Sequence, residues 1–220
     1  MGRPARYTRF AGLYDLISME PIYRTGRRHG IAGLDLRPGD HVLDVGCGTG
    51  WNFPMLEQAI GESGRIVGVD LSAQMLEQAD RKVERQGWGN VSLVRANAET
   101  LDQSDLMTSG VDAAPRAFDA VLFTYSLSLM TNWPRAWRQA TTLARDQARV
   151  TVVDMQLPQA SARWLSPMAR LACALGGSDI MAHPWTVLER ETADVKEWSL
   201  RGGHIQVRAG TLAPGQGERT

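Results

Sequence analysis

The densest group of residues able to do chemistry is the run Val42-Leu43-Asp44-Val45-Gly46-Cys47-Gly48-Thr49-Gly50. Its three alternating glycines permit a tight turn and let a ligand touch the backbone directly. Apolar residues lead into the loop and a helical pattern follows it, the context that such a loop needs to bind a nucleotide-like ligand. In dinucleotide folds the last glycine comes one residue later, where this chain has Trp51. Asp44, just before the turn, would repel a pyrophosphate but attracts an ammonium. That asymmetry favours S-adenosylmethionine, with its cationic methionine half, over NAD.

A second acid stands at the expected distance. Asp70 lies twenty residues beyond Gly50, at the end of the next apolar run, where a carboxylate accepts hydrogen bonds from both ribose hydroxyls. Leu71 and Met75 follow it and are expected to pack against the adenine. Asn97 and Ala98, after the third apolar run, occupy the adenine edge, with Asn97 able to contact the exocyclic amine. Any one of these could be an ordinary turn or cap; their joint spacing is what carries the inference. Gly46, Cys47, Gly48, Gly50 and Asn52 complete the expected cofactor contacts, together with Tyr125.

Methyl transfer from a sulfonium is an in-line displacement that needs proximity, orientation and a nucleophilic acceptor, so no catalytic triad is required. The acceptor must lie beyond the carboxyl ends of the strands, where Thr124-Tyr125-Ser126 leaves the fourth apolar run. An Asn-Pro-Pro-Tyr turn, which would point to an amino group on a nucleobase or glutamine, does not occur there. Of the clustered acids that a metal-dependent catechol site would need, only Asp154 stands in place, and no metal is expected. Tyr7, Tyr14 and Tyr23 accompany Phe10 and Arg6, Arg9, Arg24, Arg27 and Arg28 at the start of the chain. They read either as a lid whose aromatic faces hold a methylated ammonium, or as an amphipathic helix packed on the core. One of the arginines could hold the cofactor carboxylate or an acceptor phosphate. Tyr14, Tyr23 and Tyr125 are taken as the residues that position the acceptor. The histidines 29, 41, 183 and 204 read as structural, although His183 beside Pro184 and Trp185 could line the acceptor pocket.

These side chains need strands that end together. From Gly30 onward, short apolar runs alternate with helical patterns, as in βαβ units. Strands are expected at His41–Val45, Arg65–Val69, Val91–Arg95, Phe118–Thr124 and Arg149–Asp154. Helices are expected near Trp51–Ile60, after a Ser72 cap, and at Trp133–Ala144. Residues from Pro158 to Gly177 look helical, and Val195–Leu200 with Ile205–Ala209 reads as a hairpin. The expected class is α/β: a Rossmann-like, doubly wound, mostly parallel seven-stranded sheet with an antiparallel C-terminal strand. Residues 1–35 would be a helical lid, 36–212 the main domain and 213–220 a disordered tail.

With 220 residues and 43% hydrophobic content, one domain can bury a sizeable core. The formal net charge of zero argues against a dedicated nucleic-acid binder. The two cysteines, Cys47 and Cys173, do not form a disulfide framework, which suits a reducing interior. The N-terminus lacks the apolar run of a signal peptide, and no run approaches the roughly 20 residues needed to span a bilayer. A cytoplasmic protein is expected, with no obligate protein partner evident.

The segments from Tyr14 to Asp154 resemble the class I S-adenosylmethionine-dependent methyltransferases. In that family the glycine loop contacts the methionine part, the acid after strand two holds the ribose, and an acid-alanine pair flanks the adenine. Asp44, Gly46, Gly48, Gly50 and Asp70 match; Asn97 replaces the usual aspartate, and Arg145-Asp146-Gln147 stands where a Pro-Gly-Gly turn is common. Tyr14-Asp15, Tyr23-Arg24, Gly48-Thr49-Gly50-Trp51-Asn52-Phe53 and Tyr125-Ser126-Leu127-Ser128-Leu129-Met130 further resemble phospholipid and betaine-lipid head-group N-methyltransferases. The menaquinone and ubiquinone C-methyltransferases share the N-terminal lid arrangement, but their further motifs are not evident in this sequence. The resemblance implies methylation of an amine on a lipid head group or similar small acceptor; the N-terminal arginines by themselves could also touch an anionic membrane surface. The alternatives are O-, N- or C-methylation of a soluble metabolite, and a non-catalytic cofactor-binding partner.

Overall fold

The computed structural model describes residues 20–111, 116–159, 166 and 179–214. Seven strands form one sheet in the order β3-β2-β1-β4-β5-β7-β6. They are β1 (His41–Val45), β2 (Arg65–Asp70), β3 (Val91–Arg95), β4 (Phe118–Thr124), β5 (Ala144–Met155), β6 (Thr192–Leu200) and β7 (Ile205–Leu212). The first five run parallel, and β7 inserts antiparallel between β5 and β6. The expected architecture is the observed one.

Helices cover both faces, so the central strands are apolar on both sides rather than alternating. On one face lie α1 (Glu20–Gly33), α2 (Phe53–Ile60) and α3 (Ala73–Gln86), burying Leu34, Phe53, Leu56, Ile60 and Leu76 against Val42, Ile66 and Leu122. On the other lie α4 (Gln103–Thr108), α5 (Trp133–Thr142) and α6 (Trp185–Glu191), burying Leu106, Trp137 and Leu188 against Leu43, Val67, Val121 and Phe123. Phe123 and Trp137 stack with ring centroids 5.9 Å apart. Helix α1 sits unusually close to the sheet because Gly26, Gly30 and Gly33 face it. A Cβ on Gly30 would lie 2.4 Å from a methyl of Val153, and one on Gly33 would lie 2.7 Å from the Cβ of Ala209.

The strand order reverses between β1 and β4, and that switch point opens a crevice at their carboxyl ends. The Ser126 hydroxyl closes its floor by donating to the Val45 carbonyl at 2.7 Å.

Several boundaries differ from expectation. Helix α2 starts at Phe53 rather than Trp51, because Pro54 favours the first turn while Trp51 and Asn52 stay in the loop. Strand β5 starts at Ala144, directly after α5, not at Arg149. Phe118 pairs with Ala144 but Ala120 already pairs with Arg149, so Arg145-Asp146-Gln147 bulges out of the strand with Gln147 at φ +60°. That bulge takes the place of the Pro-Gly-Gly turn. Two short helices were not foreseen: α4, opened by a capping box between Asp102 and Asp105, and α6. Tyr7, Phe10 and Tyr14, almost all of the helix expected from Pro158 to Gly177, and most of the tail lie outside the described residues. Among the described residues no helix is long and apolar enough to cross a membrane.

Candidate functional site

The loop after β1 is folded by its own backbone. The Gly46 and Cys47 amides both donate to the Val69 carbonyl, at 2.8 and 3.0 Å, which ties the loop to the end of β2. The Gly48 amide donates to Asp70 Oδ2 at 2.9 Å, and the Ser72 amide donates to Oδ1 at 2.8 Å. Two of the glycines are required for different reasons. Gly46 has φ +73°, and a Cβ there would lie 2.4 Å from the Cβ of Ser126; Gly48 has φ +55°, with open space where its Cβ would be. From α3, Lys82 reaches back to the loop, donating to the Thr49 carbonyl at 2.7 Å with its ammonium 4.5 Å from the Trp51 ring centroid.

Asp44, at the end of β1, is fully buried. The Asn52 amide nitrogen donates to both its carboxylate oxygens at 3.0 Å and to Thr124 Oγ1 at 3.2 Å. Burial pushes the Asp44 carboxyl up to about 7, against the opposing pull of Asn52 and of the Arg27 guanidinium, with the nearby Asp70 charge adding to the rise. Asn52 Oδ1 is itself buried and has no hydrogen-bond partner among the described residues. A buried acid and an orphaned acceptor side by side are a site that wants a cation with N–H donors.

Asp70 is also held above its ordinary carboxylate range, mainly by burial. Its oxygens accept backbone N–H groups of the loop and of the turn into α3, and a carboxylate has lone pairs beyond these for a hydroxyl. Leu71 beside it is 58% exposed, an apolar side chain left open, whereas Met75 is buried. Ala98 is buried, and Asn97 is exposed, its Oδ1 turned back to accept the Glu99 amide at 3.0 Å. The Ser72 cap on α3 forms as expected, accepting from the Met75 amide.

On the acceptor side, Tyr125 leaves β4 in a left-handed conformation, φ +56°, with its amide still bonded to the Val153 carbonyl. Its hydroxyl donates to the Tyr23 carbonyl at 2.9 Å, and the two rings lie 4.9 Å apart. Gly26 makes this possible, since a Cβ there would lie 2.1 Å from Tyr125 Oη. Arg27 places its guanidinium 5.4 Å from the Tyr125 ring centroid. Beyond Tyr23 stands the His204 ring, at 6.2 Å. Asp154 is fully buried and pushed up to about 6 by burial, but it accepts from the Ser128 amide, the Ser128 hydroxyl and the Met155 amide. It serves as a brace for the turn after β4. Among the described residues no three His, Cys, Asp or Glu side chains converge on a metal position. His204 was read as structural from sequence, Thr124 and Ser126 were placed at the acceptor end without a role, and Arg27 was one of five undistinguished arginines.

Residues 42–147 match the methyltransferase domain family model. The ubiquinone/menaquinone biosynthesis C-methyltransferase of Pseudoalteromonas translucida is 29% identical over 66% of this chain and 54% of its own length. The 2-phytyl-1,4-naphtoquinone methyltransferase of a Nostoc species is 28% identical over 70% of this chain and 65% of its own. A solved S-adenosylmethionine-dependent methyltransferase from Aquifex aeolicus superposes with a TM-score of 0.66 at 15% identity, covering 92% of this chain and 98% of that one. The chain matches the family model over a little under half of its length. It spans about half the length of the curated relatives first matched.

The site fits S-adenosylmethionine. Asp44 and Asn52 would take the ammonium, the Gly46–Gly50 loop the methionine backbone, Asp70 the ribose, and Leu71 and Met75 the adenine. When bound, the cofactor supplies an electrophilic methyl group on a cationic sulfur. Replacing Asp70 by alanine is expected to weaken cofactor binding by about 1.5–3 kcal/mol, the worth of hydrogen bonds to a charged group. Calorimetry with S-adenosylhomocysteine checks this; an unchanged dissociation constant would contradict the role.

Proposed function

We propose that this methyltransferase methylates carbon on a flat aromatic acceptor bearing a hydroxyl, of the naphthohydroquinone kind. The observation that carries the reading is the aromatic wall of two tilted rings, Tyr23 and Tyr125, 4.9 Å apart just past β4, with Arg27 over Tyr125 and within electrostatic reach of the buried Asp44. Such a wall packs well against a fused ring. The activities of the relatives, quinone C-methylation and naphthoquinone methylation, support the same choice.

The amine head-group reading finds less support. Of the aromatic faces that could cradle a methylated ammonium, that of Tyr125 already has Arg27 over it at 5.4 Å. A second cation there would meet like-charge repulsion in place of attraction. Tyr23 and Tyr125 remain the proposed acceptor-positioning residues, with Tyr14 joining them from outside the described residues.

The test is incubation of the protein with methyl-labelled S-adenosylmethionine and either dithionite-reduced 1,4-naphthoquinone or phosphatidylethanolamine vesicles. Label is expected in the naphthol product. Label confined to the phospholipid would overturn the reading in favour of the head-group amine. Binding of cofactor with no label in either, nor in whole-cell extract, would favour a non-catalytic role.

A further inference from the structure

We propose that His204 is the base that takes the hydroxyl proton of the acceptor. The inference rests on the aromatic hydroxy acceptor proposed above. A phenol ring carbon is a weak nucleophile until its hydroxyl loses a proton, so a group in the crevice must accept one.

The hairpin between β6 and β7 is built to present this side chain. Arg201, Gly202 and Gly203 are three consecutive left-handed residues, at φ +53°, +64° and +83°. The Gly203 carbonyl is held by the side-chain amides of both Gln156 and Gln206, at 2.9 and 2.8 Å. The backbone of Gln156, just past the end of β5, donates to the His204 carbonyl at 2.8 Å. Because β7 runs antiparallel to β5, with Met155 opposite Ile205, the residue before β7 stands at the carboxyl end of β5. That is the crevice side of the sheet, and the His204 ring faces Tyr23 there.

The tautomer is set as well. His204 Nδ1 lies 2.6 Å from the Gln156 carbonyl oxygen, which can only accept, so Nδ1 carries the hydrogen. In the neutral ring Nε2 then carries the lone pair, and it makes no hydrogen bond among the described residues. His29 shows the same local bond, to the Thr25 carbonyl, but packs against Trp198 on the helix face. His41 sits at the opposite, amino end of β1, and His183 packs on Trp185.

The other candidates are already engaged. Tyr125 spends its proton on the Tyr23 carbonyl, and Asp154 accepts three donors while fully buried. In the step, the acceptor O–H pair moves into the ring as its proton passes to Nε2. The ortho carbon gains the methyl, the carbon–sulfur bond leaves its electrons on sulfur, and the displaced ring proton goes to water as aromaticity returns. His204 then returns its proton to the oxyanion that this leaves, so the product is the neutral hydroxyl compound and one proton in all is released.

In the test, His204→Asn keeps an N–H near the Gln156 carbonyl and removes the base. With dithionite-reduced 1,4-naphthoquinone, kcat is expected to fall about 10²–10⁴-fold while the Kd for S-adenosylhomocysteine is unchanged, and added imidazole is expected to restore part of the rate to His204→Ala. An undiminished kcat in His204→Asn overturns the proposal. Independently of turnover, nitrogen-15 NMR of the wild type, assigned by the signal lost in His204→Asn, should show an unprotonated Nε2 that shifts when 1-naphthol is added. A protonated Nε2, or no shift, overturns the role of His204. A wild type inactive on the naphthohydroquinone, with the Nε2 shift present, overturns only the choice of that acceptor.

Discussion

Replacing Asp44 by asparagine is expected to weaken S-adenosylmethionine binding by about 3–5 kcal/mol, while the cofactor-free protein melts at a higher temperature near neutral pH. Both effects have one cause. The carboxyl is fully buried, and burial holds it up to about 7 from an ordinary 3.8. A folded-state pKa above the unfolded value means that the folded form holds the proton more tightly. Stability from this group is therefore present at low pH and is lost as pH rises from about 4 through about 7. Asparagine removes that loss. It also removes the negative charge that a bound ammonium would neutralise. Titration calorimetry across pH gives the matching signature. Binding of a cation lowers the carboxyl's pKa and so releases a proton, and wild-type affinity should rise with pH up to about 7 and then level off. Asp44→Asn should lose that slope; a slope that persists in the variant assigns the titration to another group.

The second large effect separates two glycines of one loop. Gly46→Ala must adopt φ +73° and places its new carbon 2.4 Å from the Cβ of Ser126. The left-handed conformation costs about 1–2 kcal/mol and the overpacking about 1–3 kcal/mol more, so thermal stability and cofactor binding should fail together. Gly48→Ala shares the backbone strain at φ +55° but meets no atom within 4 Å. Its methyl enters the space a ligand would use. The expected result is a folded protein, slightly less stable, whose affinity for S-adenosylhomocysteine drops roughly tenfold or more, the scale of 1.4 kcal/mol. Equal stability losses in both variants would mean that Gly48 faces the protein and not the ligand.

Legibility in the sequence followed the range of the interactions. Strands β1, β3 and β4 were read to the residue because each is a short apolar run bounded by turn residues, which is a local pattern. The glycine loop and its two acids were readable for the same reason: Asp44 and Asp70 act from fixed offsets along a strand–loop–helix unit. The bulge at Arg145-Asp146-Gln147 was not, since it depends on how β5 registers against Phe118 and Ala120. Helix α4 is only six residues long, and its signal is a cap rather than a periodicity.

The amino-acid order alone determined the parallel sheet and the cofactor class and pointed to the residues proposed to hold it, because those follow from contacts close in sequence and from the period of apolar side chains. Only the tertiary structure decided which of five arginines lies over Tyr125, that Gly26 lets Tyr23 and Tyr125 meet, and that His204 stands at the end of β5. Each of these joins groups about a hundred residues apart or inverts a strand's direction, and no local pattern encodes such a meeting. The physical reason is that close approach across elements depends on small residues and on register, both of which acquire meaning only when the partners pack.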